Sequence, residues 1–380
     1  MALTSKLPDV GLTIFSAMSQ LAAEHGAINL SQGFPDFDVS PGLIDRVTHH
    51  MRAGHNQYAP MQGVLALREA IGAKVADLYG AHYDPASEIT VTSGATEAIF
   101  AAIAASVHAG QEALILEPAY DAYAPAVRLA GGRAVFVALR HPDYRIDWDR
   151  VQAALNPRTR LLIVNSPHNP TGMVLHAADI AALQTIAADH DLLILSDEVY
   201  EHIVFDGAQH ESLARYPDLR ARSFVVSSFG KTYHATGWKV GYCLAPQALS
   251  AELRKVHQFL TFATNTPVQM ALADFMTTSR DHLALAAFYQ SKRDLFRRLL
   301  TGSRFESLPC GGTYFLMVDY SAVSDLPDME FARQLTREFG VAAIPPSAFY
   351  HRRDDHRVLR FCFAKNDQTL EEAAARLCRI

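Results

Sequence analysis

Lys231 stands in the run Ser227-Ser228-Phe229-Gly230-Lys231-Thr232-Tyr233, with Gly237-Trp238-Lys239-Val240-Gly241-Tyr242 close behind. The run follows a β-rich apolar stretch and turns through small residues, which places the lysine at a sheet edge. An amine held there is poorly solvated, so its neutral form becomes accessible near neutral pH, as a Schiff-base nucleophile requires. Lys239 and the hydroxyls of Ser228 and Thr232 lie near enough in sequence to bind a phosphate. An imine-forming lysine beside a phosphate site points to pyridoxal phosphate.

Other segments carry chemistry that each has a plainer reading. Ser93-Gly94-Ala95-Thr96-Glu97-Ala98 follows a strand and opens a helix. Its free N–H groups and the Thr96 hydroxyl suit an anion, though Ser93 or Thr96 could equally cap its own helix. Asn165-Ser166-Pro167-His168-Asn169-Pro170-Thr171-Gly172 reads as a turn, or as a device presenting the Asn169 side chain at the sheet edge. Asp197, in Ser196-Asp197-Glu198-Val199-Tyr200-Glu201-His202, falls at a strand's carboxyl end and must find a positive partner if buried. A protonated pyridine nitrogen would serve, with Tyr200 donating to a phenolate oxygen. The rivals are a helix cap at Asp197 and metal ligation by Glu198, Glu201 and His202. Tyr120, in Glu117-Pro118-Ala119-Tyr120-Asp121-Ala122-Tyr123, can stack on a flat ring or sit in the core. Arg360 lies between apolar neighbours in Leu359-Arg360-Phe361-Cys362-Phe363 and needs an anion, from a structural carboxylate or a bound α-carboxylate. Nucleotide motifs fail: a P-loop ending at Gly230-Lys231-Thr232 needs glycine where Val225 stands, and no G-x-G-x-x-G follows a strand.

These residues need a frame. At 380 residues two domains are expected. Hydrophobic content of 49% with 19% charged residues fits a globular enzyme, and a net charge of −6 gives no nucleic-acid footprint. Four cysteines without paired spacing suggest free thiols in a reducing compartment. The first ten residues contain no long apolar stretch, so no signal peptide or membrane anchor is expected, and the cytoplasm is the expected location. Helical spacing covers residues 14–25, ending at Gly26, and residues 65–79. Short apolar runs at 89–92, 113–116, 134–138, 161–164, 192–195, 224–226 and 240–245 alternate with helical stretches. This pattern predicts an α/β fold whose mostly parallel sheet is covered on both faces, with ligands at the strands' carboxyl ends. After Pro267 a long helical stretch, 268–300, leads into a smaller α+β unit.

Taken in order, these blocks resemble the class I/II aminotransferases of pyridoxal-phosphate fold type I. Within them the sequence is most similar to the methionine aminotransferase and kynurenine/glutamine aminotransferase branch. The specific blocks are Asn29-Leu30-Ser31-Gln32-Gly33-Phe34-Pro35-Asp36-Phe37, Asn56-Gln57-Tyr58-Ala59-Pro60, residues 196–202 and residues 227–242. The resemblance implies an arm and part of the small domain in 1–35, a large domain in 36–275 and the rest of the small domain in 276–380. It implies that Lys231 forms the imine and moves the proton, Asp197 pairs with the ring nitrogen, and Asn169 and Tyr200 hold the ring oxygen. Tyr120 would stack on the ring, and Ala95, Thr96, Ser228 and Lys239 would hold the phosphate. Arg360 would bind the substrate α-carboxylate, with Gly33 and Asn169 beside it. Tyr58 would reach a neighbouring subunit's phosphate, implying a homodimer with shared sites. Lysine at 239, where the aspartate-type branch has arginine, matches the kynurenine-type branch. Phe15, Tyr58, Phe262, Tyr314 and Phe349 would meet the substrate side chain, an apolar and aromatic set favouring uncharged amino acids. The implied activity is transfer of the amino group of methionine or an aromatic amino acid to a 2-oxo acid in ping-pong order. The alternative is a kynurenine/glutamine aminotransferase with cysteine-conjugate β-lyase activity. A pyridoxal-phosphate-binding regulator of DNA is disfavoured, since no basic helix-turn-helix precedes the first sheet strand. No metal and no membrane partner are implied.

Overall fold

A computed structural model describes residues 3–380. Its strands in chain order are β1 (Ile28–Asn29), β2 (Ile89–Thr92), β3 (Glu112–Glu117), β4 (Arg133–Ala138), β5 (Thr159–Asn165), β6 (Leu193–Asp197), β7 (Ser223–Ser228), β8 (Gly241–Leu244), β9 (Glu306–Ser307), β10 (Phe315–Asp319), β11 (Val341–Ala342) and β12 (Val358–Cys362). Seven of them form the main sheet in the order β2-β8-β7-β6-β5-β3-β4. All neighbours run parallel except β8, which is antiparallel to both β2 and β7. Successive residues of the central strands serve opposite faces. Leu114, Leu162 and Ile194 join one apolar cluster, while Ile115, Ile163 and Leu195 join another beneath the helix Gly94–Ser106. That is why these strands read as continuous apolar runs and not as alternating ones.

Register aligns the strand ends. Asn165 pairs with Asp197, Asp197 with Val226, Ser228 with Gly241, and Gly241 with Thr92. Gly241 is required there, since a Cβ would lie 2.7 Å from Ser227 O and 2.8 Å from Ala95 N.

A third apolar cluster brings Met18 and Leu30 together with Leu370 and Leu377. β9, β10 and β12 form an antiparallel sheet, and β1 pairs with β11, so Ile28 lies opposite Val341. The helix Ile14–His25 packs on the helix Asp328–Glu338. Helices 14–25 and 65–79 and strand 89–92 coincide with the spacing-based expectation. The expected continuous helix over 268–300 is instead Thr266–Thr278 and Leu285–Leu299, separated by a 3-10 turn at Asp281–Ala284. Ser279 causes the break: its backbone is extended and its Oγ accepts from Asp281 N at 3.0 Å, a local bond that competes with the helix. Helices Pro41–Arg52, Gln247–Leu260 and Asp367–Leu377 were not marked out by spacing.

Behind the site the helix Leu65–Tyr79 is tied to the sheet by buried charge. Lys74 Nζ lies 2.7 Å from Glu201 Oε1 and 2.6 Å from Tyr242 OH, and Tyr79 OH donates to Glu201 Oε2 at 2.6 Å. Ser227 Oγ donates to the same carboxylate. Burial works against ionised Glu201, but Lys74, His202 and Ser227 outweigh it and hold the carboxyl well below its usual range. Stability from this group is therefore full above its ordinary value of 4.5 and drains away as pH falls below it. Lys74→Met leaves a buried carboxylate unpaired and is expected to cost about 3–5 kcal/mol in urea unfolding at pH 7. A loss below about 1 kcal/mol would show that the pair is not what ties the helix to the sheet.

Candidate active site

A cavity of about 240 Å³ opens at the carboxyl ends of β5, β6 and β7, where the main sheet meets β10 and β12. Its walls contain Phe15, Gly33, Ala95, Thr96, Tyr120, Asn169, Asp197, Tyr200, Ser228, Lys231, Lys239 and Arg360, brought together from the whole length of the chain. Most are delivered by the turn or helix start that follows a strand, Arg360 by β12 itself, and Phe15 by the helix Ile14–His25.

At one end of the cavity lies an anion cradle. The helix Gly94–Ser106 begins there with free N–H groups, Gly94 takes φ +75°, and a Cβ on it would lie 3.4 Å from Lys239 Nζ. Ser93 makes no side-chain cap; its N–H is taken by Glu97 Oε2 at 2.8 Å, so the capping alternative is set aside. Lys239 itself adopts a left-handed backbone (φ 54°), a strained conformation that directs its side chain to this end. Thr232 does not contribute: it is buried, and its hydroxyl donates to Ser228 O at 3.2 Å.

In the middle, Asp197 is buried with Oδ2 bonded by Tyr123 OH at 2.6 Å. Burial raises its carboxyl to about 6, against the pull of Tyr123, Val199 N and Lys231. Asn165, also buried, donates to Asp197 O at 2.8 Å and accepts from Asn169 N at 2.8 Å. Glu198 and Glu201 turn to the far side, where Glu198 meets His210 at 2.9 Å and Glu201 meets Lys74. They form no shared ligand set with His202.

Lys231 faces Asp197 and Arg360 across the cavity. Burial brings its amine down to about 8; Arg360 and Lys239 push the same way, while Cys362 and Asp197 oppose. Arg360 is fully buried, with Phe315 3.9 Å beneath its guanidinium and Phe15 and Phe349 at 5.3 and 5.6 Å. Its partners are neutral oxygens, Asn169 Oδ1 and Ser31 O, each at 2.8 Å, so the structural salt bridge is replaced by an amide and a carbonyl. Its Nε has no partner.

Four expected substrate contacts fall elsewhere, among them Phe349, which is buried against the Arg360 guanidinium at 5.6 Å and is not in the cavity wall. Tyr58 and Phe262 meet edge-on at 5.4 Å but lie on the surface, 84% and 43% exposed, outside the cavity wall. Tyr314 is buried beneath the wall, and its hydroxyl contacts Lys231. Conversely, Asn165, Tyr123 and Phe315 were not singled out. The first two stand in segments recognised as functional, but spacing cannot tell which residue of a turn faces inward; Phe315 gave no signal beyond apolarity.

The family profile for aminotransferase class I and II matches residues 25–377. The chain belongs to the class I and II aminotransferases. It is 56% identical over 374 residues to the methionine aminotransferase of Escherichia coli, covering 98% of this chain and 97% of that protein. It is 41% identical to a probable N-succinyldiaminopimelate aminotransferase of Mycobacterium tuberculosis, covering 98% and 97%. The crystal structure of YbdL from Escherichia coli, described with a methionine aminotransferase function, superposes with a TM-score of 0.98 at 55% identity over the whole of both chains. The chemistry of this aminotransferase is thus amino-group transfer in ping-pong order, and the family implies pyridoxal phosphate. The donors present fit that group: an anion cradle, a buried carboxylate and a primary amine share one cavity.

The lowered amine predicts a pH-dependent reactivity in the cofactor-free aminotransferase. Below about 8 Lys231 is protonated and inert; above it the neutral form dominates. Capture of Lys231 by acetaldehyde with cyanoborohydride, followed by peptide mass spectrometry, is expected to rise with a midpoint near 8. A midpoint near the ordinary 10.5 would contradict the desolvated site.

Proposed function

We propose that this aminotransferase takes the amino group from an uncharged L-amino acid, methionine or one of similar apolarity, and passes it to a 2-oxo acid. The observation that carries the reading is Arg360: a fully buried guanidinium with neutral partners and an unpartnered Nε, lining the cavity that holds Lys231. A buried cation in that state calls for a carboxylate.

Ala95 N, Thr96, Ser228 and Lys239 would hold the phosphate of pyridoxal phosphate, Tyr120 would cover its ring, Asp197 would face its nitrogen, and Asn169 and Tyr200 its ring oxygen. When bound, the cofactor supplies a sink for the electron pair left at the substrate α-carbon and carries the amino group between half-reactions. Asp197, ionised above about 6, would keep a proton on the ring nitrogen. Arg360 fixes the substrate carboxylate and thereby the direction of its α-hydrogen. Lys231 Nζ, neutral above about 8, would take that hydrogen as a proton and hold it at Nζ. Phe15, Phe315 and Phe349 exclude water around the carboxylate. The cations on the cavity wall are Lys231, Lys239 and Arg360, each with a role in this scheme, which leaves none for an acidic substrate side chain.

The proposal includes a homodimer in which exposed Tyr58 reaches the neighbouring subunit's phosphate and Phe262 its substrate. It also includes a cytoplasmic location, supported by four free thiols, Cys243, Cys310 and Cys362 buried and Cys378 exposed.

Lys231→Ala is expected to lose at least about 100-fold in turnover, and Asp197→Ala a similar amount, measured as 2-oxo acid formation from methionine. Full activity of the lysine variant would sink the proposal. Mixing the cofactor-loaded protein with single amino acids and following its visible absorbance should show methionine, leucine and aromatic amino acids reacting faster than aspartate. Aspartate reacting fastest would overturn the substrate class.

A further inference from the structure

Tyr314 is wholly buried between Tyr200 and Tyr289, whose ring centroids lie 5.1 and 5.6 Å away. Its hydroxyl is 2.6 Å from Gly33 O and 2.7 Å from Lys231 Nζ, and Gly33 O is 3.0 Å from the same Nζ. The three polar atoms form a closed triangle. Gly33 reaches it because it has no side chain: a Cβ would lie 2.9 Å from the Phe315 ring.

Counting protons fixes the direction of every bond. Gly33 O can only accept. Two oxygens 2.6 Å apart must share a proton, or their lone pairs would repel, so the Tyr314 proton lies toward Gly33 O. With its one proton committed, the Tyr314 hydroxyl can only accept from Lys231. Burial also drives the Tyr314 phenol well above its ordinary acidity range, which keeps that proton in place. A neutral amine has two N–H groups and one lone pair. One N–H goes to Tyr314 and the other to Gly33 O, and both acceptors lie on one side of Nζ. The lone pair is left to point the other way.

We propose that Tyr314 is a positioning residue for the reaction: with Gly33 O it holds the free Lys231 amine by both N–H groups and leaves the lone pair facing the substrate. This rests on the reading of Lys231 as the proton carrier. It moves Tyr314 from the substrate's side-chain pocket to the amine that performs the chemistry. Without the hydroxyl, one N–H has no acceptor, and the amine rotates among orientations of which few aim the lone pair usefully.

The test is Tyr314→Phe, which keeps the buried ring. In the cofactor-loaded protein, kcat for methionine is expected to fall about tenfold, KM to stay within about twofold, and the α-deuterium isotope effect on kcat to rise. In the cofactor-free protein, aldehyde capture of Lys231 should slow in the variant at fixed pH. In a Lys231→Ala background the same substitution should change the residual conversion rate by less than about twofold, because the residue it acts through is gone. An unchanged kcat and isotope effect, a loss confined to KM, unaltered aldehyde capture, or a full tenfold fall in the Lys231→Ala background would each overturn the inference. If Lys231→Ala itself stays active, the underlying reading fails. If Lys231→Ala is inactive while Tyr314→Phe behaves as wild type, only the role of Tyr314 fails.

Discussion

Two ionisable groups of opposite sign are buried in one cavity, and each is made usable by the cost of burying it. Asp197 is raised to about 6 and Lys231 lowered to about 8, so a window around neutral pH separates an ionised acid from an amine on the edge of losing its proton. Neither value would survive in open water. The main sheet, the helix over its edge and the sheet carrying Arg360 together bury both groups. The polar atoms that remain inside are bonded by neutral neighbours such as Tyr123, Asn165 and Asn169.

The scaffold separates two kinds of polar chemistry by the alternation of one short segment. Asp197 and Tyr200 line the cavity, while Glu198 and Glu201 turn to Lys74, His210, Tyr79 and Ser227 on the other side. The buried pair behind the sheet anchors the segment that carries the site. Rigidity of the reactive groups is thus supplied from residues that never meet a substrate.

Much of this was legible in the sequence, for physical reasons. Continuous apolar runs marked strands covered on both faces, and Gly26 marked where the first helix stops in a left-handed cap. Lys231, Asp197, Asn169 and Arg360 were visible because an ionisable or amide group beside an apolar run must be explained. Tyr314 was visible as an aromatic, but type and spacing do not say whether a ring faces a cavity or supports it from below. Tyr58 and Phe262 lie outside the wall of the single chain. The break at Ser279 was missed because a serine hydroxyl accepting from the backbone N–H two residues on leaves no mark in apolar periodicity. The antiparallel direction of β8 was equally invisible, since both faces of that strand are buried whichever way it runs.

The pairing of β1 with β11 has a consequence for how the molecule is made. Leu30 N donates to Ala342 O, and Leu30 O accepts from Cys362 N, so the segment bearing Ser31 and Gly33 is held by the last strands of the chain. During synthesis residues 30–33 therefore wait, unpaired, until residues 342 and 362 have emerged. The large sheet can close on Lys231 and Asp197 well before the carboxylate anchor and the Gly33 carbonyl arrive. The cavity becomes an active site only when residues 28–33 meet residues 341–362, so a chain stopped short of them lacks both the carboxylate anchor and the held Gly33 carbonyl.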